Sequence, residues 1–88
     1  MLFRSEATIT TNVSYNVAAL GEHVSVQCSS KGFPQPVCRL YHRGNLLNGN
    51  GSVYVIHNFT EEDQGVYTCN CSNVAGVDEA NLTLSLYG

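Results

Sequence analysis

The four cysteines at positions 28, 38, 69 and 71 are the densest chemical feature of this 88-residue chain. Cysteine can ligate zinc, act as a nucleophile or cross-link. The spacing argues against zinc: Cys69 and Cys71 form C-x-C, not the C-x-x-C of a zinc ribbon, and no His-x-x-x-His accompanies them. No metal and no cofactor is therefore expected. A nucleophilic Cys or Ser needs a base within hydrogen-bond reach. The three histidines, His23, His42 and His57, fall in different β-prone segments, at positions that alternation turns outward. The acidic run Glu61-Glu62-Asp63 lacks the Asp-x-Asp spacing of an EF-hand loop. Asp78-Glu79 reads as the charged start of a strand. No catalytic residue is assigned, and no enzymatic activity is expected. Cross-linking remains. Four cysteines in so short a chain read as disulfides made in an oxidising compartment, with three connectivities open.

A second feature points to the same compartment. Five Asn-x-Ser/Thr sequons begin at Asn12, Asn50, Asn58, Asn70 and Asn81. One is weak evidence of glycosylation; five in 88 residues are harder to assign to chance, although an Asn/Ser/Thr-rich β surface would also produce them. The formal charge of −3, with four Lys plus Arg, leaves no nucleic-acid footprint. No apolar run approaches the ~20 residues that span a bilayer, so this segment is not expected to insert directly into a membrane. Residues 1–6 are too short and too charged for a signal peptide. They read as an N-terminal extension or cloning remnant, ahead of one domain over residues 7–87.

The elements that must position the cysteines centre on Asp63-Gln64-Gly65-Val66-Tyr67-Thr68-Cys69-Asn70-Cys71. Strand alternation sends Tyr67, Cys69 and Cys71 to one face. Asp-Gln-Gly before them reads as a corner, with Gly65 in backbone angles closed to other residues and backbone carbonyls at short range for the Tyr67 hydroxyl. Upstream, Ala7–Thr11 and Ser14–Leu20 are two half-strands separated by a kink, which suits an edge passing between sheets. Val24, Val26 and Cys28 alternate inward. Lys31–Pro36 is read as a turn, since its two prolines supply no donors to a sheet. Val37–Arg43 and Val53–Phe59 follow as strands, with Leu40, Tyr54 and Ile56 inward and Phe59 inward just after. Asn48-Gly49-Asn50-Gly51 is the strongest turn signal. The last strand, Asp78–Tyr87, turns Ala80, Leu82, Leu84 and Leu86 inward.

Asp-x-Gly-x-Tyr-x-Cys resembles strand F of an immunoglobulin domain, with a tyrosine corner two residues ahead of the second disulfide cysteine. Gly32-Phe33-Pro34-Gln35-Pro36 followed by a strand is similar to the B-to-C link of I-set and C2-set members. The resemblance implies an all-β sandwich of two antiparallel sheets, A-B-E and G-F-C-C′, with strand D short or missing. It also implies Tyr67, Asp63 and Gly65 as the structural corner, and Val24, Val26, Leu40, Ile56, Leu82 and Leu84 as core. One departure stands at the centre: the family usually keeps a tryptophan where this chain has Leu40, and the chain has no tryptophan.

The resemblance assigns Cys28 and Cys69 to the intersheet bridge. If Leu40 then faces Cys69 across strands C and F, Cys38 faces Cys71 two steps along, close enough to bridge. Two buried free thiols are the alternative. That second bridge is worth roughly 2–3 kcal/mol in the loop-entropy model and would offset the lost indole.

What remains for function is binding. The outward face of C, F and G carries Arg39 and Tyr41, both interface-favoured types, along with Asn70 and Asn81. Glycans on those asparagines would mask the face and move contact to the loops around Phe33 and Ala75-Gly76-Val77. The expected role is an extracellular, cell-surface module of a multi-domain adhesion molecule or receptor. It would recognise a protein partner, homophilic or heterophilic, or act as a spacer. The rival readings are an intracellular muscle-type structural module with reduced cysteines, and a ligand-binding domain of a receptor kinase or secreted immune protein.

Overall fold

A computed structural model describes residues 1–47 and 53–87. Among the described residues, eight strands form two sheets. The first sheet has the order β1-β3-β6, from β1 (Phe3–Thr11), β3 (Val24–Phe33) and β6 (Val53–Ile56). The second has the order β2-β8-β7-β4-β5, from β2 (Val17–Ala18), β4 (Val37–His42), β5 (Asn45–Leu46), β7 (Gly65–Asn73) and β8 (Gly76–Leu86). These correspond to A-B-E and to G-F-C-C′ with one added edge. The added strand, β2, pairs parallel to β8, with Val17 opposite Ser85 and Ala18 opposite Leu86. The Asn48–Gly51 turn, the Asn50 sequon and any strand D lie outside the described residues.

The first edge crosses between sheets because Asn12 takes over where the β1–β3 ladder ends. Its Oδ1 accepts from the Ser25 N–H at 2.8 Å, and its Nδ2 donates to the His23 carbonyl at 3.2 Å. The backbone groups that lose a strand partner are thus satisfied by a side chain. A single 3-10 turn, Ser14–Asn16, then swings the chain across. The Tyr87 N–H donates to the Ala18 carbonyl at 2.7 Å and ties the new edge to the end of β8.

Several boundaries differ from those read in the sequence: β4 ends at His42, β6 ends at Ile56 rather than Phe59, β8 runs Gly76–Leu86, and only Val17–Ala18 of Ser14–Leu20 is strand. Two further shifts are coupled. β1 begins at Phe3, ahead of Ala7, and β3 continues through Lys31 to Phe33. Each extension supplies the other's ladder partners, Phe3 with Phe33 and Glu6 with Lys31, across a register shift between Phe3 and Glu6. Lys31–Phe33 therefore belongs to a strand, and the turn is confined to Pro34–Pro36. No proline interrupts the ladder, which explains why the composition of the segment misled. Ser5, within the register shift, is fully buried, and its hydroxyl has no partner among the described residues.

The core lies between the sheets. Val24, Val26, Cys28, Phe59, Tyr67, Cys69, Cys71 and Leu84 are sealed from solvent, with Leu40, Ile56 and Leu82 nearly so. Tyr54, Ala80 and Leu86 pack on its margin.

Candidate functional site

The strands bring the four cysteines into one cluster. β4 and β7 are antiparallel, with Leu40 opposite Cys69 and Cys38 opposite Cys71. Bridges join Cys28 to Cys69 and Cys38 to Cys71. All four sulfurs lie within 4.8 Å of one another, and Cys71 Sγ sits 3.6 Å from Cys69 Sγ and 4.0 Å from Cys28 Sγ. The second bridge is thus packed against the first, in the middle of a core that has no indole. Joined in pairs, these are disulfide sulfurs rather than the thiolates that ligate soft metals.

The corner ahead of β7 is built around Tyr67. Its hydroxyl donates to the Asp63 carbonyl at 2.6 Å. Burial pushes the phenol well above the ordinary tyrosine range, the nearby Asp63 carboxylate adds to that, Tyr54 adds a smaller push, and the Arg43 guanidinium opposes it. Gly65 has φ +115°, and a Cβ there would meet Arg43 Nε at 2.9 Å. The acidic run forms one 3-10 turn, Glu61–Asp63, closed by Thr60: its N–H donates to Asp63 Oδ2 at 2.9 Å, and its hydroxyl donates to the same oxygen at 3.2 Å. The run therefore has a capping role that accounts for one of its three carboxylates.

One histidine departs from the sequence reading, whereas His23 and His57 are exposed as expected. His42 does not face outward. Because β4 runs unbroken from Val37, position 42 shares the parity of Cys38 and Leu40. Its ring stacks on Tyr67 at 4.2 Å between centroids, and its Nε2–H donates to the Gln64 carbonyl at 2.7 Å. His23 and His57 lie on different segments but meet edge to face at 5.2 Å, one row beyond the Val24–Ile56 pair. The acidic run sits elsewhere, at the corner.

The outward face of β4, β7 and β8 is arranged in rows. Arg39, Asn70 and Glu79 form one; Tyr41, Thr68 and Asn81 form the next. Asn70 Nδ2 donates to Glu79 Oε2 at 2.9 Å, and the Thr68 hydroxyl donates to Asn81 Oδ1 at 2.7 Å. Arg39 is exposed and Tyr41 half-buried. Exposed Val37 and Val77 flank Ser72 at one end of this face, and Phe33 is exposed nearby on the loop end of β3. Asn58 is exposed, at the foot of β6. Among the sequon asparagines, Asn12 and Asn70 engage Nδ2, the atom a glycan would occupy, whereas Asn81 bonds through Oδ1.

One organising residue had no signal in the sequence beyond its turn chemistry. Asn73 Nδ2 donates to the carbonyls of Phe3 at 2.8 Å and Pro34 at 2.9 Å. Its Oδ1 accepts from the N–H groups of Ala75 at 2.9 Å and Gly76 at 3.1 Å. It binds the start of the chain, the β3–β4 loop and the β7–β8 turn into one end of the sandwich.

Comparison with known proteins agrees with this geometry. The immunoglobulin domain family model matches residues 7–86. The chain is 36% identical over 74 residues to ADAMTS-like protein 3 of Homo sapiens, which covers 78% of this chain and 4% of that protein. It is 29% identical over 85 residues to vascular endothelial growth factor receptor 1 of Homo sapiens, covering 88% of this chain and 6% of the receptor. It thus spans a small fraction of the relatives it matches. Among solved structures, the full ectodomain of mouse nectin-like molecule 4 superposes with a TM-score of 0.86 at 24% identity, over 98% of this chain and 31% of that one. Titin M4 superposes at 0.80 with 18% identity, covering 99% of each. These two likenesses speak to the fold. Among the described residues, no helix is long and apolar enough to cross a membrane. With two sheets stapled at Cys28–Cys69, a tyrosine corner at Tyr67 and a family match over nearly its whole length, this chain belongs to the immunoglobulin domain family.

Proposed function

We propose that this domain is an extracellular recognition module of a larger cell-surface adhesion molecule or receptor, and that it binds a protein partner through the outward face of β4, β7 and β8. The observation that carries the reading is the display of Arg39 and Tyr41 on that face, in register with hydrogen-bonded rows from β7 and β8. Arginine and tyrosine are enriched at interfaces and among their hot spots, where they contribute contact area and directional bonds. The module acts by binding rather than catalysis. Two bridges and the sequons support an oxidising, glycosylating compartment. Similarity to a receptor and to an ectodomain supports the same setting.

The intracellular structural reading has one observation in its favour, the superposition on titin M4. Titrating free thiols after purification without reductant separates the two: near zero per chain favours the extracellular reading and near four the intracellular one. Binding is tested by sedimentation for self-association and by cell-surface staining for another partner. Arg39→Glu with Tyr41→Ala should weaken whichever is found at least tenfold with the melting temperature unchanged. Unaltered binding would move the contact to the Phe33 end.

A further inference from the structure

Of the four bridged residues, Cys28, Cys69 and Cys71 are fully buried and Cys38 alone is partly exposed. Cys38 also borders an open cleft of about 330 Å³, walled by Gln27, Ser29, Ser30, Gln35 and Pro36. Cys28 lies behind that cleft without reaching solvent, and neither Cys69 nor Cys71 lines it. The walls offer hydroxyls and carboxamides and carry no charge, a lining suited to the amide groups of a short peptide.

We propose that Cys38 is a thiol-exchange site, at which a small peptidic thiol of the glutathione class enters this cleft and opens the Cys38–Cys71 bridge. The incoming sulfur bonds to Cys38 Sγ, and the Cys38–Cys71 bond breaks with its electron pair leaving on Cys71. The proton of the incoming thiol ends on Cys71. The products are a mixed disulfide at Cys38 and a buried Cys71 thiol. No other oxidant or reductant is consumed, and attack by Cys71 on the mixed disulfide recloses the bridge. Cys71 Sγ lies 3.9 Å from the Ser29 carbonyl oxygen, so the released thiol has a weak acceptor at hand.

The same cluster decides where the exchange stops. Displacement at a disulfide needs the attacking sulfur in line with the bond that breaks, because the empty orbital lies along that bond. In-line approach would place the leaving sulfur about 2 Å farther away than the sulfur attacked. Cys71 Sγ is instead 3.6 Å from Cys69 Sγ and 4.0 Å from Cys28 Sγ, almost equidistant. It lies beside the core bridge, not at its end. Opening at Cys38 is therefore not passed on to Cys28–Cys69.

The experiment incubates the folded protein with graded reduced glutathione and no denaturant, quenches with acid and maps the cysteines by mass spectrometry. The expected result is a glutathione adduct on Cys38, Cys71 alkylated only after denaturation, and the Cys28–Cys69 peptide pair intact. An adduct on another cysteine, simultaneous opening of both bridges, or no adduct until denaturant unfolds the chain would overturn the proposal. Gln35→Trp, which fills the cleft from an exposed loop, should slow adduct formation several-fold at unchanged melting temperature. An unchanged rate would remove the cleft from the mechanism.

Discussion

The hydroxyl of Tyr67, on a strand, donates to the carbonyl of Asp63, four residues earlier, at 2.6 Å, and so holds the turn that feeds the strand against the core. Tyr67→Phe keeps the ring and leaves the partly buried carbonyl short of a donor. Stability should fall by roughly 1–1.5 kcal/mol, read as a lower urea midpoint at unchanged slope.

The same phenol sets an alkaline limit. Its proton is held more tightly in the folded state than in the unfolded one, where the ordinary value of 10.0 applies. Its contribution is fully present below pH 10 and is lost as pH rises beyond it toward the folded value. Urea melts between pH 9 and 11 should show stability falling in wild type, by at most about 1.4 kcal/mol per pH unit from this group. Tyr67→Phe should flatten that slope.

Cys38→Ala with Cys71→Ala removes the second bridge and leaves the intersheet one. A loss of roughly 2–3 kcal/mol should lower the melting temperature by on the order of 10 °C. Scanning calorimetry checks this, and an unchanged value would mean that the bridge adds nothing.

Asn73→Ala should cost about 2 kcal/mol, since it removes partners from two carbonyls and two N–H groups. Asn73→Asp retains the acceptor and should recover part of the loss. Hydrogen exchange at Ala75 and Gly76 distinguishes the two, with protection lost in the first variant and kept in the second.

Ser5→Ala should have the opposite sign. Its buried hydroxyl has no partner among the described residues, so removing it should raise stability by about 1 kcal/mol in the same urea assay.

The alternation of Tyr67, Cys69 and Cys71 was legible because a strand has a period of two, and one correct register places every side chain in the sheet. That is why the partner of Cys38 could be reasoned from Leu40. His42 was legible by the same rule, but the alternation was misapplied there: on the unbroken β4 an even position shares the face of Cys38 and Leu40. Asn73 and Asn12 were hidden for a different reason. Their partners, Phe3 and Ser25, are brought near only by the finished fold, and no local pattern advertises a side chain that replaces a ladder bond. The ends of β1 and β3 were hidden likewise, since each strand is extended only by the presence of the other.

The Cys28–Cys69 bridge also fixes how far this domain can be drawn out by tension. Pulled from its two ends, the unfolded chain is taut only along residues 1–28 and 69–88, while the segment between stays slack behind the cross-link. At roughly 3.4 Å per extended residue the reach is on the order of 160 Å, about half the contour of the uncrosslinked polypeptide. A stretched array of such units would behave as a tether with a short stop.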